Sequence, residues 1–299
     1  MVEPVNSAGF TISPKTNLHE ALVVAESFLK NHSAHDYWIF LTDIPALNSL
    51  PSADPRIRFA DASFLEPKTW AEMAARYTDL EFAYAITPFV FLNLFTRGYS
   101  KLLFLKLETL VLASVDELFD DLSNHPVIAT PHLIQPQRSM SSLARELGVL
   151  GAGIFNGGVL GFAKVEESIH FLNWWSSKTE FNCVREVSEG LHFEQRWLDF
   201  LICFAPNLKI VRDAAINVAH WNLHERELNL REGQLFVDGR ICRIFRFSGF
   251  DEKNPDFLSR YRLDLSTNNL GAVGEILFQY RSALAQQKLL LQKAGLASL

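Results

Sequence analysis

Residues 99–120 read YSKLLFLKLETLVLASVDELFD, and this stretch limits the possible folds more than any other. The apolar run Leu102-Leu103-Phe104-Leu105 stops at two charges one position apart, Lys106 and Glu108, and a second apolar run follows at once. Four large apolar residues in a row suit a strand buried on both faces, as in a parallel sheet covered by helices. A buried strand that ends in charges sets those charges at its carboxyl edge. That is the edge where open α/β sheets bind ligands.

The rest of the chain alternates in the same way. Residues 10–12, 37–41, 57–60, 126–130 and 208–211 read as strands. Helical spacing fills 18–29 behind a cap at Asn17, then 67–77, 80–97 with a break near Pro88, 165–178 and 190–204. Residues 154–162 read as a strand pair or bend, and 234–247 as a hairpin turning at Asp238-Gly239. This alternation favours a mostly parallel central sheet with helices on both faces. Residues 131–150, with Pro131, Pro136 and several serines, read as a mobile loop over the site. The tail, 270–294, reads as a helix. The domain division that follows is 1–265 with a C-terminal helical extension, 266–299.

Composition narrows the function classes. The 299 residues are 48% hydrophobic with a net charge of −6, enough apolar content for a large core and the wrong balance for a general nucleic-acid binder. Cys183, Cys203 and Cys242 are an odd, dispersed set, which fits reduced thiols better than a disulfide framework. The start MVEPVNSAGF lacks a basic segment followed by a long apolar one, and no apolar run approaches a membrane span. Asn31-His32-Ser33 matches a glycosylation sequon that reads as chance. A cytoplasmic protein is expected.

Several segments together resemble a known family. Lys106-Leu107-Glu108 lies where GT-A-fold glycosyltransferases carry an Asp-x-Asp metal motif. Phe155-Asn156-Gly157-Gly158-Val159 resembles the Phe-Asn-x-Gly segment of the family 8-like enzymes, and the stretch 190–199, with Glu194-Gln195, resembles their Asp-Gln helix. Residues 217–226, with His220-Trp221-Asn222 and His224, and Phe247-Ser248-Gly249-Phe250-Asp251 resemble a bacterial branch of uncharacterised sugar transferases. Order and spacing fit over 10–265. The resemblance implies a GT-A fold, a nucleotide-diphosphate sugar donor with UDP expected, anomeric retention, and a glycan or glycolipid acceptor in polysaccharide or glycoconjugate assembly.

In that family a divalent metal held by the two Asp and a late His offsets the charge on the leaving diphosphate. Here those positions hold Lys106, Glu108 and Arg246. Two Asp, a neutral His and a divalent ion sum to zero, whereas Lys106, Glu108 and Arg246 sum to +1. A protonated Lys or Arg cannot ligate a metal, but each can clamp a phosphate. The expected site therefore uses no metal such as manganese, with Lys106 and Arg246 on the diphosphate. The other reading of Lys106 and Glu108 is a solvated pair at a strand end.

The resemblance gives Asn156, Glu194 and Gln195 as catalytic candidates. Asn156 is equally a turn residue, and Glu194 an acidic residue at a helix start. Thr11, Ser13 and Asp43 sit at strand ends on the nucleotide side, and Thr87 takes the place of a family lysine. His220, Trp221, Asn222 and His224 are candidates for an acceptor or sugar wall; Trp221 is equally core. The C-terminal helix packs on the domain, pairs with another subunit, or rests on the inner membrane face. The alternative function is a catalytically weak relative that binds nucleotide or glycan.

Overall fold

A computed structural model describes residues 6–43, 50, 54–136 and 143–296. Its centre is a seven-stranded sheet in the order Lys209–Ile210, Val127–Pro131, Phe155–Ala163, Lys101–Leu105, Ser7–Ser13, Asp36–Leu41, Ile57–Asp61. All pairs are parallel except those made by Phe155–Ala163, which runs against both neighbours. Every residue of that strand and of Ser7–Ser13 is buried, as expected where helices cover both faces. One face packs Phe10, Phe91, Phe104, Phe162 and Trp175, and the other packs Leu18–Asn31 through Leu22, Phe28 and Leu29.

The helical stretch 80–97 is broken as read: Asp79–Ala85 is closed at its start by a capping box between Thr78 and Glu81, and Thr87–Thr96 begins anew with Pro88 in its first turn. Asn17 stands at the start of Leu18–Asn31, but its amide donates to Glu20 instead of capping a backbone N–H. Residues 154–162 are not a strand pair: Ile154 is a bend, and the rest lie in the single strand Phe155–Ala163. Residues 190–204 are not one helix. A hairpin of two-residue strands, Arg185–Glu186 and Leu191–His192, leads into the tight turns Gln195–Phe200 and the short helix Leu201–Phe204. Gly190 and Phe193 have positive φ of 77° and 50°, which no continuous helix tolerates. Part of the expected loop 131–150 is the helix Leu143–Ala152, while 137–142 lie outside the described residues.

The C-terminal helix, Ala272–Lys293, packs on the body. Tyr280 stacks on Phe247 at 4.1 Å, Gln287 donates to Glu26 and Lys288 pairs with Glu252. Of the three readings of this helix, packing on the domain is what the structure displays. Among the described residues no helix is long and apolar enough to cross a membrane.

Candidate active site

Two irregularities shape the carboxyl edge of the Lys101–Leu105 strand. The pairing of Val127–Pro131 with Phe155–Ala163 slips, from Ala129 opposite Leu160 to Thr130 opposite Asn156. Such a bulge bends the strand and re-aims its side chains. Because Phe155–Ala163 is reversed, its first residues reach the same edge as Lys106, whose N–H donates to the Gly158 carbonyl at 3.0 Å. Beyond Lys106 the chain turns through Glu108, at φ 62°, into Thr109–Val111, which pairs with Ile244–Arg246. That small sheet brings Arg246 opposite Thr109 and beside Asn156.

The Asn156-Gly157-Gly158 segment is a cradle. A Cβ on Gly158 would lie 1.2 Å from Nη1 of Arg246, and one on Gly157 2.9 Å from Oε1 of Glu194. Only glycine lets the guanidinium and the carboxylate approach the backbone so closely. Asn156 Oδ1 accepts the Gly158 N–H at 2.9 Å and lies 3.5 Å from Nη1 of Arg246. Gln195 Oε1 accepts the Gly157 N–H at 2.8 Å, and its amide donates to Ala152.

Lys106 and Glu194 form a buried ion pair, Nζ to Oε1 2.6 Å, with the ammonium 3.4 Å from the centre of the Tyr84 ring. Burial lowers the Lys106 pKa, while Glu194 pulls it back up. The second oxygen of Glu194 is buried with no partner. Arg246 is 3% exposed; its Nη2 donates to the Leu107 carbonyl at 3.4 Å and its Nε bonds to nothing. Burial lowers its pKa, and Glu108 is the leading opposing influence. Glu108 itself accepts the Gly249 N–H at 2.9 Å, and burial raises its carboxyl to about 7 against the pull of Arg246.

These residues floor a cleft of about 880 Å³. Among the described residues its lining carries six cationic side chains, Lys106, Arg145, Arg185, Arg246, Arg260 and Arg262, against one carboxylate, Glu108. On a chain of net charge −6 this concentration focuses positive potential where a ligand would sit. His132, His192 and His220 also line it. Burial holds each imidazole down, to about 4, and nearby cations add to the effect. Trp221 stands between His132 and His220, at ring distances of 5.5 and 5.1 Å.

The described residues hold no group of three or more His, Cys, Asp or Glu placed to bind a metal ion. Lys106, Glu108 and Arg246 bring together two cations and a carboxylate bonded to Gly249, a donor set that does not fit a divalent ion.

No protein-family model matches the chain. It is 25% identical over 99 residues to the uncharacterised protein YfnF of Bacillus subtilis, a match that spans 33% of each protein. Among solved structures it superposes on galactosyltransferase LgtC, in complex with donor and acceptor sugar analogues, with a TM-score of 0.54. Identity there is 15%, over 93% of this chain and 95% of that one. Mouse xyloside xylosyltransferase 1 in its apo form aligns at a TM-score of 0.42 and 14% identity, over 73% and 89% of the two chains. The fold is GT-A.

On this GT-A frame, Lys106, Glu108, Asn156, Gln195, His220, Trp221 and Arg246 converge on one cleft, with Glu194 directly beneath. The other candidates are placed elsewhere. Thr11 and Ser13 are fully buried, and Ser13 donates to the Pro14 carbonyl. Thr87 is buried at a helix start. Asp43 accepts the Lys15 N–H and lines a separate cleft of about 670 Å³ with Trp70. Asn222 accepts the Ala219 N–H and donates to the Asn217 carbonyl, and His224 faces solvent.

Sequence reasoning missed Gly158, Tyr84, His132, His192 and the arginines at 145, 185, 260 and 262. Of these, only the Gly-Gly inside an apolar strand carried a signal, since glycine in a strand marks a close approach of other atoms. It also missed the Glu225–Arg226 pair, which is almost wholly buried. Glu225 accepts the N–H groups of Ile134 and Gln135, and so ties the segment after His132 to the Trp221 loop.

Proposed function

We propose that the cleft transfers a sugar from a nucleotide-diphosphate donor, a UDP sugar, to a hydroxyl of a glycan or glycolipid, without a divalent ion. The observation that carries this reading is Arg246. A guanidinium 3% exposed, with Nε unpartnered and a glycine cradle around it, sits at the floor of a cleft lined by five more cations. Burying a charge this way is costly unless an anion completes the site. As the sugar–phosphate bond breaks, negative charge grows on the diphosphate, and fixed cations in a water-poor cleft stabilise it most. Lys106 is already neutralised by Glu194, so Arg246 leads and Lys106 assists. Glu194, buried beneath the cleft and outside its lining, holds the Lys106 ammonium in place. Trp221 offers a ring face to the acceptor or sugar.

Calorimetric titration with UDP in chelator and in excess manganese tests the reading. Binding in chelator supports it, and binding only with manganese sinks it. The second reading, a nucleotide- or glycan-binding relative without turnover, is favoured by the neutralised Lys106–Glu194 pair. Tight UDP binding with no release of UDP from any UDP sugar, acceptors included, would select it.

A further inference from the structure

The cleft of about 670 Å³ that holds Asp43 opens at the carboxyl ends of Asp36–Leu41 and Ile57–Asp61. The helix Asp79–Ala85 divides it from the cationic cleft: Leu80 and Tyr84 line that one, Asp79 and Phe82 this one. Its charge is the reverse. Asp43, Asp61 and Asp79 line it, and among the described residues no lysine, arginine or histidine does. Residues 44–49 and 51–53, next in the chain and outside the described residues, include no charged residue to offset them. None of the three carboxylates is ion-paired among the described residues. Trp70 supplies a wall, 41% exposed and edge-on to Phe82 at 6.5 Å. Trp38 has Arg58 and Arg97 over its ring and Trp174 has Lys178, but among the described residues no cation covers Trp70. Thr42, also in the lining, is 8% exposed; its N–H donates to the Ser13 carbonyl, and its hydroxyl is buried without a partner.

We propose that this second cleft binds a protonated amine on a small organic body, the ammonium held between the carboxylates and the Trp70 face, with one N–H donated to the Thr42 hydroxyl. Size selects an organic cation over a metal ion. Three carboxylates line the cleft, yet among the described residues no three such groups are placed to hold a metal. Carboxylates spread around a cleft suit a cation larger than a bare ion, and an open indole face attracts it further. A buried hydroxyl without a partner calls for a hydrogen bond, which an ammonium N–H supplies and a quaternary ammonium does not. The carboxylates here repel a diphosphate, so the two clefts sort ligands of opposite charge. The site does not rest on the transfer reading above. An amine carried on a sugar and a free polyamine share the required chemistry.

Calorimetric titration of the full chain with glucosamine, with spermidine and with glucose tests the site and separates the two sources. The expected result is saturable binding of an amine and none of glucose. Asp61→Asn and Trp70→Leu should each raise the amine Kd about ten-fold. Asp61 caps the Ser63 N–H, and asparagine caps as well as aspartate, so the first variant reads the charge and not the fold. A cooperative urea transition certifies that both variants fold. Asp120→Asn with Glu232→Gln, which remove exposed charge outside the cleft, should leave the Kd unchanged. No saturable binding of either amine overturns the proposal, as does wild-type affinity in either cleft variant. So does an equal loss in the Asp120→Asn/Glu232→Gln control, because the attraction is then to the acidic chain as a whole. Displacement of the bound amine by uridine overturns it too, since the cleft would then belong to a nucleoside.

Discussion

Histidines sit at both ends of the central sheet, and the two groups are treated oppositely. At the amino-terminal edge, His32 donates from Nδ1 to the Phe28 carbonyl at 2.7 Å and accepts the Val115 N–H on Nε2 at 2.8 Å. His35 bridges Ser7 and Asp116. Each ring also stacks on a phenylalanine, His32 on Phe28 and His35 on Phe119. At the carboxyl edge, His132, His192 and His220 each keep a buried Nδ1 with no partner, and the Trp221 indole N–H is likewise unmatched. Native proteins satisfy buried polar atoms, so a cluster of unsatisfied ones marks where an outside molecule supplies the missing partners. The Ser7–His35–Asp116 chain has the residue types of a catalytic triad but is saturated and structural. The cleft has no familiar triad, yet it is the end left open.

That contrast can be broken by mutation. The largest expected effect is at the closed end: His32→Ala should cost about 3 kcal/mol, by stranding the Val115 N–H and the Phe28 carbonyl and leaving a cavity. Urea unfolding reads it directly, and a cost below about 1 kcal/mol would remove the distinction between the ends. Next, Arg246→Ala should weaken UDP binding by about 1.5–3 kcal/mol with little change in unfolding midpoint. Gly158→Ala should approach the same loss with the charge still present, since the added methyl displaces the guanidinium. Calorimetry on both variants checks this, and wild-type affinity in either would place the anion elsewhere.

Acid–base behaviour gives a smaller effect. Glu20 lies near Glu108, and burial, then that neighbour, raises it to about 8 from 4.5, while Glu108 rises to about 7. Raised carboxyls hold protons that the unfolded chain has released, so their contribution is complete below pH 4.5 and is lost as pH climbs through the folded values. The open-end histidines, lowered from 6.5 to about 4, act the other way, and only within that window. From pH 6.5 to 8 the histidines no longer contribute and the carboxyls still do: the melting temperature should fall, and Glu20→Gln should flatten the slope. A flat wild-type profile would contradict it. The smallest effect is at the open end, where His220→Ala should cost about 1 kcal/mol or less, because its Nδ1 gives up no bond.

The sheet was legible because its strands are apolar runs cut off by charges. Lys101–Leu105 and Asp36–Leu41 announce themselves within five or six residues. The turn at Asp238-Gly239 was equally plain, and that pair sits at positive φ of 49° and 79°, but the hairpin read over 234–247 ends at Ile241, and Ile244–Arg246 pairs with Thr109–Val111 instead. The region 190–204 misled because its apolar spacing is helical while Gly190 and Phe193 bend the chain. The site was half legible. Lys106, Glu108 and Arg246 stood out by the resemblance, but the partner of Lys106 is 88 positions away, and no local pattern reveals such a pairing. Thr11 and Ser13 were misplaced because a strand's last polar residues were read as facing the ligand, whereas these are enclosed in the sheet.

Gly158 and Arg246 also predict a pattern in descent. One position is empty so that the other can be full, and the two are far apart in the chain. Among relatives of this protein, an arginine at 246 should be accompanied by glycine at 158. Wherever 246 holds a shorter residue, 158 should be free to carry a side chain of its own. The two should change together or not at all, like a lock cut for one key.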